Sequence, residues 1–286
     1  MRLRSLLRRC LVLASLALAA SPAAAQYGYA DAKGMNERFR LDVGGFFQDF
    51  TTIARYDDSL GEVGTPIELE KDLGIPDRRT TLRVDGYWRF GPHGRLDFGY
   101  KGWARQNTRT LDKDIEFGDQ VFHVGAEVET NIRVNVAELY YSYSFVNTGV
   151  VELGAGLGIS SYWNKISMDG RASAGGTSGS ASYEERDLVA PIPAIQGHVN
   201  LTLLPRFFLG ANAKWMSASI SDYSGSMVDL RGGLDYFFTK SFGIGAAYNY
   251  VKIEYEKTGE ATSSGTGTLR LEYEYSGPLA YVSFAF

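Results

Sequence analysis

The chain has 286 residues with 29 basic and 33 acidic side chains, which gives a formal charge of −4. This acidic balance argues against a nucleic-acid-binding protein, because such proteins carry a clustered basic face. Aromatic residues make up 13% of the chain, and the mean hydropathy is −0.17. Beyond the N-terminal leader, no segment is continuously apolar over the roughly 20 residues that a membrane-spanning helix needs, so the sequence excludes a helical membrane protein.

The N-terminus predicts an export signal. Four arginines precede the apolar run 11–20, and Ala23 and Ala25 supply the small residues that a signal peptidase reads. We expect cleavage after Ala25, which leaves Gln26 as the first residue. Removing the four arginines leaves 25 basic residues against 33 acidic ones, a charge of −8. The only cysteine, Cys10, lies in this leader, so the mature chain has no thiol for a disulfide or a metal site.

The following segments alternate with a period of two. Residues 82–90 alternate apolar or aromatic side chains with arginine and aspartate, and the alternation resumes after a turn at 91–94. Such alternation indicates strands, and in a membrane barrel the apolar face contacts lipid while the polar face lines the lumen. The same pattern occurs in the segments 95–105, 151–160, 189–203, 207–215, 228–238 and 242–250.

Connections between these strands alternate between short and long. Short turns are expected at 91–94, 147–149, 205–206 and 239–241, and longer linkers at 57–79, 110–131, 168–187, 221–226 and 257–267. Outer-membrane barrels place short turns in the periplasm and long loops outside the cell. The sequence thus predicts an all-β fold, a transmembrane antiparallel up-and-down β-barrel of about ten strands, with both termini in the periplasm.

The chain divides into three predicted segments. They are a cleaved signal peptide at 1–25, a short periplasmic segment at 26–37 and one outer-membrane barrel at 38–286. A hairpin split or merged around residues 115–136 would give eight or twelve strands.

Two predicted strands change the parity of their apolar residues part of the way along. Residues 132–136 alternate opposite to 139–145, and 269–275 alternate opposite to 280–286. A single-residue bulge changes the face that a strand shows. We interpret these changes as strands that project beyond the bilayer, with Gly277-Pro278 marking one reset; simple irregularity is the alternative. The first strand also breaks the pattern, at two phenylalanines.

The last eight residues end in phenylalanine, with apolar residues at alternate positions before it. This segment resembles the closing strand of bacterial outer-membrane proteins, and Val282, Phe284 and Phe286 match its assembly signal. The resemblance implies a place in the cell outer membrane, contact with lipid and lipopolysaccharide, and insertion by the barrel assembly machinery with periplasmic chaperones. The general plan is similar to small barrels of the OmpA-transmembrane, OmpW and omptin kind. We expect a monomer.

Parity assigns a nearly balanced set of charges to the lumen, with Asp42 among the acids. The interior of an eight-stranded barrel is just filled by side chains, whereas open aqueous channels need about sixteen strands. Unpaired buried charges are costly, so we expect these charges to form ion pairs. The predicted network consists of Arg83, Asp85, Arg89, Arg95, Asp97, Lys101, Arg105, Glu152, His198, Lys214, Asp229, Arg231 and Asp235.

No motif predicts catalysis. His93 lies in a predicted periplasmic turn and His198 on a lumen face without an identifiable serine partner, so only His123 falls in an outer segment, close to several acids. An acid beside a histidine could supply a base and its orienting group. The acidic first loop carries ligands of the kind that suit Ca²⁺ or Mg²⁺, but its spacing matches no metal motif. We assign no catalytic residue, no metal and no cofactor.

Tyrosines and tryptophans near the predicted strand ends have the distribution of the interfacial girdles of membrane proteins. A platform for stacking a ligand is the alternative. The residues are Tyr87, Trp88, Trp103, Tyr141, Tyr143, Trp163, Trp215, Tyr236, Tyr248, Tyr250 and Tyr281.

Three functions remain open from the sequence. It favours a non-enzymatic barrel with a structural or surface-interaction role and a lumen plugged by charges. A narrow channel for small polar solutes is the first alternative. An enzyme at the outer rim, of the lipid A deacylase or omptin-like protease type, is the second.

Overall fold

The computed structural model describes residues 37–58, 66–117, 120–174, 177–220, 222–262 and 265–286. Antiparallel strands dominate these residues. In chain order the elements are β1 (Phe39–Asp58), β2 (Ile67–Glu68), α1 (Leu69–Asp72), β3 (Arg78–Arg89), β4 (Gly94–Thr110), β5 (Ile115–Phe117), β6 (Gln120–Phe122), β7 (Glu127–Asn147), β8 (Val151–Ala174), β9 (Thr177–Leu204), β10 (Phe207–Ile220), β11 (Tyr223–Phe237), β12 (Phe242–Thr262) and β13 (Gly265–Ala285). Helices among the described residues are too short to cross a membrane.

Ten long strands form a closed ring in the order β1, β3, β4, β7, β8, β9, β10, β11, β12, β13. The ring closes where β13 pairs antiparallel with β1, from Arg40 opposite Ala285 to Asp58 opposite Gly267. The predicted all-β, antiparallel, up-and-down barrel of ten strands is therefore confirmed. Within residues 115–136, β5 and β6 form a separate two-stranded sheet.

Short turns lie at the end of the barrel that contains the start of β1 and the end of β13. They comprise residues 90–93, 148–150, 205–206 and 238–241. Gly91, Gly149 and Arg206 have positive φ angles of 92°, 79° and 76°. A left-handed residue lets a short turn reverse the chain in keeping with the twist of the strands.

Three of the predicted long linkers are strands instead. Only residues 175–176 separate β8 from β9, residues 221–222 separate β10 from β11, and residues 263–264 separate β12 from β13. Each lengthened strand pairs with the other strand of its hairpin, which supplies partners for the backbone groups on that side, whatever the side chains are. The prediction of long loops is therefore wrong at 168–187, 221–226 and 257–267.

Large apolar side chains point outward around the ring and form what we call the lipid-facing belt. Apolar patches of this extent are rare on soluble monomers and are characteristic of membrane barrels. The belt includes Leu82, Trp88, Phe90, Tyr100, Leu139, Tyr141, Tyr143, Phe145, Leu157, Ile159, Trp163, Ile195, Leu203, Phe207, Trp215, Leu230, Leu234, Phe242, Ile244 and Tyr248.

Three residues predicted for the aromatic girdles lie inside the barrel. Tyr87 donates its hydroxyl hydrogen to the Glu37 carboxylate, and Tyr281 donates to Asp235 at 2.8 Å. Trp103 is buried. These positions share the parity of the lumen residues, so their side chains point inward although tyrosine and tryptophan favour an interface. The girdle prediction is wrong for these three.

The two changes of parity do not come from bulges. The pairings of β7 with β4 and with β8 keep one register from Val128 to Ser144. The pairings of β13 with β1 and with β12 continue past Gly277-Pro278 without a shift. The predicted reset at this dipeptide is therefore wrong, since each strand keeps one orientation throughout.

The environment changes instead. In β7, Leu139 belongs to the lipid-facing belt, whereas Arg133 and Glu129, at the same parity, are exposed polar residues farther along the strand. Val134 and Val136 point inward and are buried. The outer surface therefore turns from apolar to polar while the interior turns from polar to apolar. This inversion is expected where a strand leaves lipid and enters water.

Cysteine labelling along β7 tests this inversion. Arg133→Cys should react with a membrane-impermeant maleimide, whereas Leu139→Cys, on the same face, should react roughly ten-fold more slowly because hydrocarbon disfavours the reactive thiolate. Val134→Cys is the inward control and should be protected. A reactive Val134→Cys with a protected Arg133→Cys would show that the strand does change face.

Candidate functional site in the barrel lumen

Charged side chains fill the lumen at the level of the lipid-facing belt and form what we call the polar layer. Every side chain of the predicted network points into the lumen, and all except Arg105 belong to this layer. Arg40 and Glu138 were missing from the prediction. The layer comprises Arg40, Asp42, Arg83, Asp85, Arg89, Arg95, Asp97, Lys101, Glu138, Glu152, His198, Lys214, Asp229, Arg231 and Asp235.

Glu152 is the principal acceptor near the short turns. Its carboxylate is fully buried and receives two hydrogen bonds from Arg89, of 2.8 and 3.1 Å, in bidentate geometry. Asn200 Nδ2 donates to it at 2.9 Å and Ser144 Oγ at 2.5 Å. Arg95 lies 3.6 Å away. Two cations and two neutral donors therefore compensate one buried carboxylate.

Glu138 and Asp229 hold the two lysines of the polar layer. Lys214 Nζ lies 2.6 Å and Lys101 Nζ 3.3 Å from the Glu138 carboxylate. Both ammonium groups also lie 3.7 Å from Asp229 Oδ2. The four buried groups form a compact quartet of balanced charge. The sequence did not reveal Glu138, because the apolar residues just before it in β7 share its parity and concealed which face was the lumen.

Arginine–aspartate pairs extend the polar layer across β1, β3 and β11. Arg83 and Arg231 each approach the Asp85 carboxylate at 2.7 Å. Arg40 lies 2.8 Å from Asp235. Removing either member of such a pair would leave an uncompensated buried charge, so the pairs resist separation.

A cavity of about 140 Å³ lies among these pairs. Its volume suits several water molecules rather than an open aqueous pore. His198 borders it, and its Nδ1 has no hydrogen-bond partner among the described residues. Gly154 leaves space for the ring, because a Cβ there would overlap the imidazole.

Ser144 supplies the serine that sequence analysis did not find beside His198. Its Oγ lies 3.5 Å from His198 Nε2, and Glu152 lies 3.6 Å from the same nitrogen. A serine–histidine–acid triad instead needs the acid on the other ring nitrogen, where it orients the base. Here serine and acid both approach Nε2, so the three groups form part of the ion-pair layer.

Aromatic side chains fill the lumen on the outer side of the polar layer and form what we call the aromatic plug. Its members are Phe46, Phe50, Trp103, Tyr273 and Tyr275. The ring centroid of Phe50 lies 5.7 Å from Trp103 and 5.9 Å from Tyr275, and Trp103 stacks on Tyr273 with an interplanar angle of 6°. These are favourable separations for aromatic pairs. The breaks of parity at Phe46 and Phe50 and over residues 269–275 were its traces in the sequence.

The first outer loop joins β1 to β3, and its described residues, 66–77, cover the aromatic plug. Arg105 lies over the Phe50 ring, 4.4 Å from its centroid, and donates to Glu70 at 2.6 Å and to Thr52 Oγ1 at 2.9 Å. Arg105 therefore joins the loop to the plug rather than completing the polar layer. Three apolar residues of the loop are themselves buried, namely Leu69, Leu73 and Ile75.

His123 pairs loosely with one acid at the outer rim. Its Nδ1 lies 3.5 Å from Asp114 Oδ2, and both side chains are exposed. The Val124 amide donates to Asp114, and this bond, with that of His123, lowers the pKa of the Asp114 carboxyl. The side chains of Glu116 and Asp119 lie outside the described residues. No group of three potential metal ligands occurs in the described part of the chain.

No protein-family model matches the chain, and no curated protein matches its sequence. Among solved structures, it is similar to the outer membrane protease OmpT from Escherichia coli, with a TM-score of 0.53, 13% identity, and coverage of 88% of this chain and 98% of that one. For the outer membrane protein OprG from Pseudomonas aeruginosa, the TM-score is 0.39 and identity 12%, with coverage of 90% and 99%. For the translocator domain of the autotransporter NalP from Neisseria meningitidis, the TM-score is 0.39 and the identity 12%, with coverage of 99% of this chain and 98% of that one.

The fold of the chain is that of bacterial outer-membrane β-barrels. The likeness to OmpT agrees with the closed antiparallel ring. The lipid-facing belt supplies the apolar outer surface that insertion requires. The predicted resemblance to small outer-membrane barrels and the predicted outer-membrane location are confirmed. The chain is an integral outer-membrane β-barrel protein.

Replacing Glu152 measures the contribution of the polar layer to stability. Glu152→Ala leaves buried Arg89 without its carboxylate acceptor and removes one of the two acids beside Arg95, so we expect a loss of about 3–5 kcal/mol in the free energy of unfolding by urea in lipid vesicles. Asp49→Ala is the matched control, because the Asp49–Arg78 pair is largely exposed and should contribute less than about 1 kcal/mol. Equal losses in both variants would contradict a structural role of the buried pairs.

Proposed function

We propose that the protein is a non-enzymatic outer-membrane barrel with a closed lumen and a structural or surface-interaction role. The observation that carries this proposal is the succession of two different closures in one lumen. The polar layer fills the part within the membrane, and the aromatic plug fills the part outside it. A solute would have to displace both.

The two closures resist opening for different physical reasons. In the polar layer, moving Lys214 or Lys101 away from Glu138 would leave buried charges without partners. In the plug, moving Phe50 would expose buried aromatic surface and detach the Arg105 side chain from its ring. A ten-stranded ring is also close to the size at which side chains fill the interior.

A surface role is supported by the polar outer wall beyond the lipid-facing belt. Lys252 lies 2.9 Å from both Glu254 and Glu272, and Arg270 lies 3.3 Å from Glu256, all on the outward face of β12 and β13. Paired charges of both signs suit the zone of lipopolysaccharide head groups. We propose lipopolysaccharide and membrane lipid as its surroundings and a monomer as its state.

Assembly partners are proposed from the last strand. Val282, Phe284 and Phe286 alternate along it, and Phe286 is 63% exposed. The Phe286 amide donates to the Phe39 carbonyl at 2.9 Å, so the final residue takes part in closing the ring. The barrel assembly machinery and periplasmic chaperones are the partners that this segment implies.

Planar-bilayer recording tests the closed lumen. We expect no steady single-channel steps from the wild-type protein, because both closures block the path. Phe46→Ala/Phe50→Ala weakens the plug while keeping the polar layer, and should give at most brief openings. Steady steps from the wild type would overturn the closed lumen and favour the narrow channel for small polar solutes.

Activity assays test the non-enzymatic role. We expect no peptide cleavage and no lipid A deacylation by the protein in vesicles that contain lipopolysaccharide. His123→Ala and His93→Ala form a matched pair, since one histidine lies at the outer rim and the other in a turn. Activity that is lost in His123→Ala and kept in His93→Ala would establish the rim enzyme instead.

A further inference from the structure

The end of the barrel that carries the short turns is cationic, although the chain as a whole is acidic. Outer-membrane barrels place this end in the periplasm. The four short turns contain no aspartate or glutamate, whereas Arg206 and Lys240 are exposed in two of them. Arg38, which precedes β1, is also exposed at this end. A surface of this sign attracts anions from the periplasm.

The negative groups nearest to this end already have donors. Glu37 is buried and accepts the Tyr87 hydroxyl, and Glu152 is fully buried among the donors described above. The terminal oxygen of Phe286 accepts the backbone amide of Arg38 at 2.8 Å. The guanidinium of Arg38 forms no ion pair among the described residues. One cation at this end is therefore available to a ligand.

A cavity of about 560 Å³ lies at this end, and we call it the periplasmic pocket. Its volume is within the range of about 300–1,000 Å³ that is usual for small-molecule sites. The start of β1, the end of β3, the end of β7 and two short turns surround it, and no acid lines it. Its polar lining residues are Arg38, Arg89, Asn147 and Thr148.

Arg89 gives the periplasmic pocket a fixed positive group. Its two terminal nitrogens donate to Glu152 at 2.8 and 3.1 Å, and its side chain is 5% exposed. Glu152 does not line the pocket, so the pair presents its cationic member to it. The Nε of Arg89 has no partner among the described residues. A guanidinium held in this way costs little further ordering when an anion binds beside it.

Asn147 adds an acceptor beside the two guanidinium groups. It lies opposite Glu152 in the β7–β8 ladder, and its Nδ2 donates to the Pro92 carbonyl at 2.8 Å. This bond orients the amide and leaves the buried Oδ1 without a partner in the described part of the chain. A buried acceptor without a donor is costly. The pocket therefore suits a ligand that brings an anion and an N–H group close together.

We propose that the periplasmic pocket binds the C-terminal carboxylate of a short peptide. Such a terminus has a carboxylate and, on its last residue, an amide N–H. The carboxylate accepts hydrogen bonds from the Arg38 guanidinium, close to the positive charge of Arg89, and the last amide donates to Asn147 Oδ1. Guanidinium groups match carboxylates in shape and charge.

The position of the pocket favours a peptide over a lipid head group. Arg89 and Asn147 share the inward face with Glu152, so they lie on the lumen side of the wall rather than on the lipid-facing belt. The polar layer separates the pocket from the aromatic plug. Binding there does not depend on whether the lumen is closed, so this proposal and the closed lumen fail separately.

Titration of the mature protein in lipid nanodiscs tests the site. The probe is N-acetyl-dialanine, its binding is followed by saturation-transfer NMR, and the matched ligand is the same peptide with a C-terminal amide. We expect saturable binding of the acid and none of the amide, because the amide has no charge for Arg38. Absence of saturable binding by the acid, or equal binding of both peptides, would overturn the proposal.

Replacing Arg38 locates the bound carboxylate. Arg38→Ala should weaken binding of the acid roughly ten-fold or more, because a charge-assisted hydrogen bond is lost. Arg38→Lys keeps the charge without the planar fork and should cause a smaller loss. Arg206→Ala is the matched control, because Arg206 is exposed at the same end and does not line the pocket. Equal losses in Arg38→Ala and Arg206→Ala would show a diffuse attraction to the surface and contradict the pocket.

The ester analogue N-acetyl-alanyl-lactate tests the role of Asn147 without changing the protein. It keeps the carboxylate and has an oxygen in place of the last N–H group. We expect its affinity to be roughly three- to ten-fold lower than that of the dipeptide, because one hydrogen bond to a buried acceptor is lost. Equal affinities would refute the assignment of Asn147 as the acceptor.

Free peptides and the stem peptides of the cell wall are two sources of such termini in the periplasm. Co-sedimentation with purified cell-wall sacculi separates them. Retention of the wild-type protein but not of Arg38→Ala supports the pocket and identifies the wall as the source. Binding of the soluble probe without retention by sacculi supports the pocket with free peptides as its ligands.

Discussion

Closure of the backbone ring is the constraint on which the rest of this protein depends. Within hydrocarbon every amide and carbonyl needs a partner in the protein, and only a closed sheet supplies them all. The ring closes where the Arg38 amide donates to the Phe286 carbonyl at 2.8 Å and the Phe286 amide donates to the Phe39 carbonyl at 2.9 Å. Because successive side chains of each strand then point alternately to lipid and to the lumen, ring size determines how much space the inward side chains must fill.

The lumen is filled by two kinds of side chain, and the surroundings of the wall decide which. At the level of lipid, the outward face is apolar and charges turn inward, where Glu152 and Glu138 gather the cations. Beyond the lipid, the outward face is polar and the inward face carries Phe50 and Tyr275. Polar and apolar side chains thus trade faces along a strand without any change in the orientation of the strand, because hydrophobic burial only requires that apolar side chains avoid water.

The ladder of backbone hydrogen bonds is interrupted at two places in the barrel wall, where neighbouring strands stop pairing. The pairing of β1 with β3 ends at Arg78, the first residue of β3. Beyond it the first outer loop lies beside β1, and the Phe50 amide donates to the Asp77 carbonyl at 2.7 Å. Asn107 of β4 binds the same loop through the Leu73 carbonyl. Between β9 and β10, the pairing ends at Ile195 opposite Trp215, and Pro191 and Pro193 of the continuing β9 have no amide hydrogen to donate.

The sequence by itself determined the barrel, a count of about ten strands and most of the inward charges, because alternation is a local property that each strand displays separately. It did not show that Arg105 would bind Glu70, or that Phe50 would meet Tyr275, because ring closure joins segments far apart in the chain. The sequence also did not show which neighbouring strand lacks a hydrogen-bond donor because of Pro191 and Pro193. Which neighbour a missing amide would have faced depends on the register of the ladder, and only the tertiary structure decided that register.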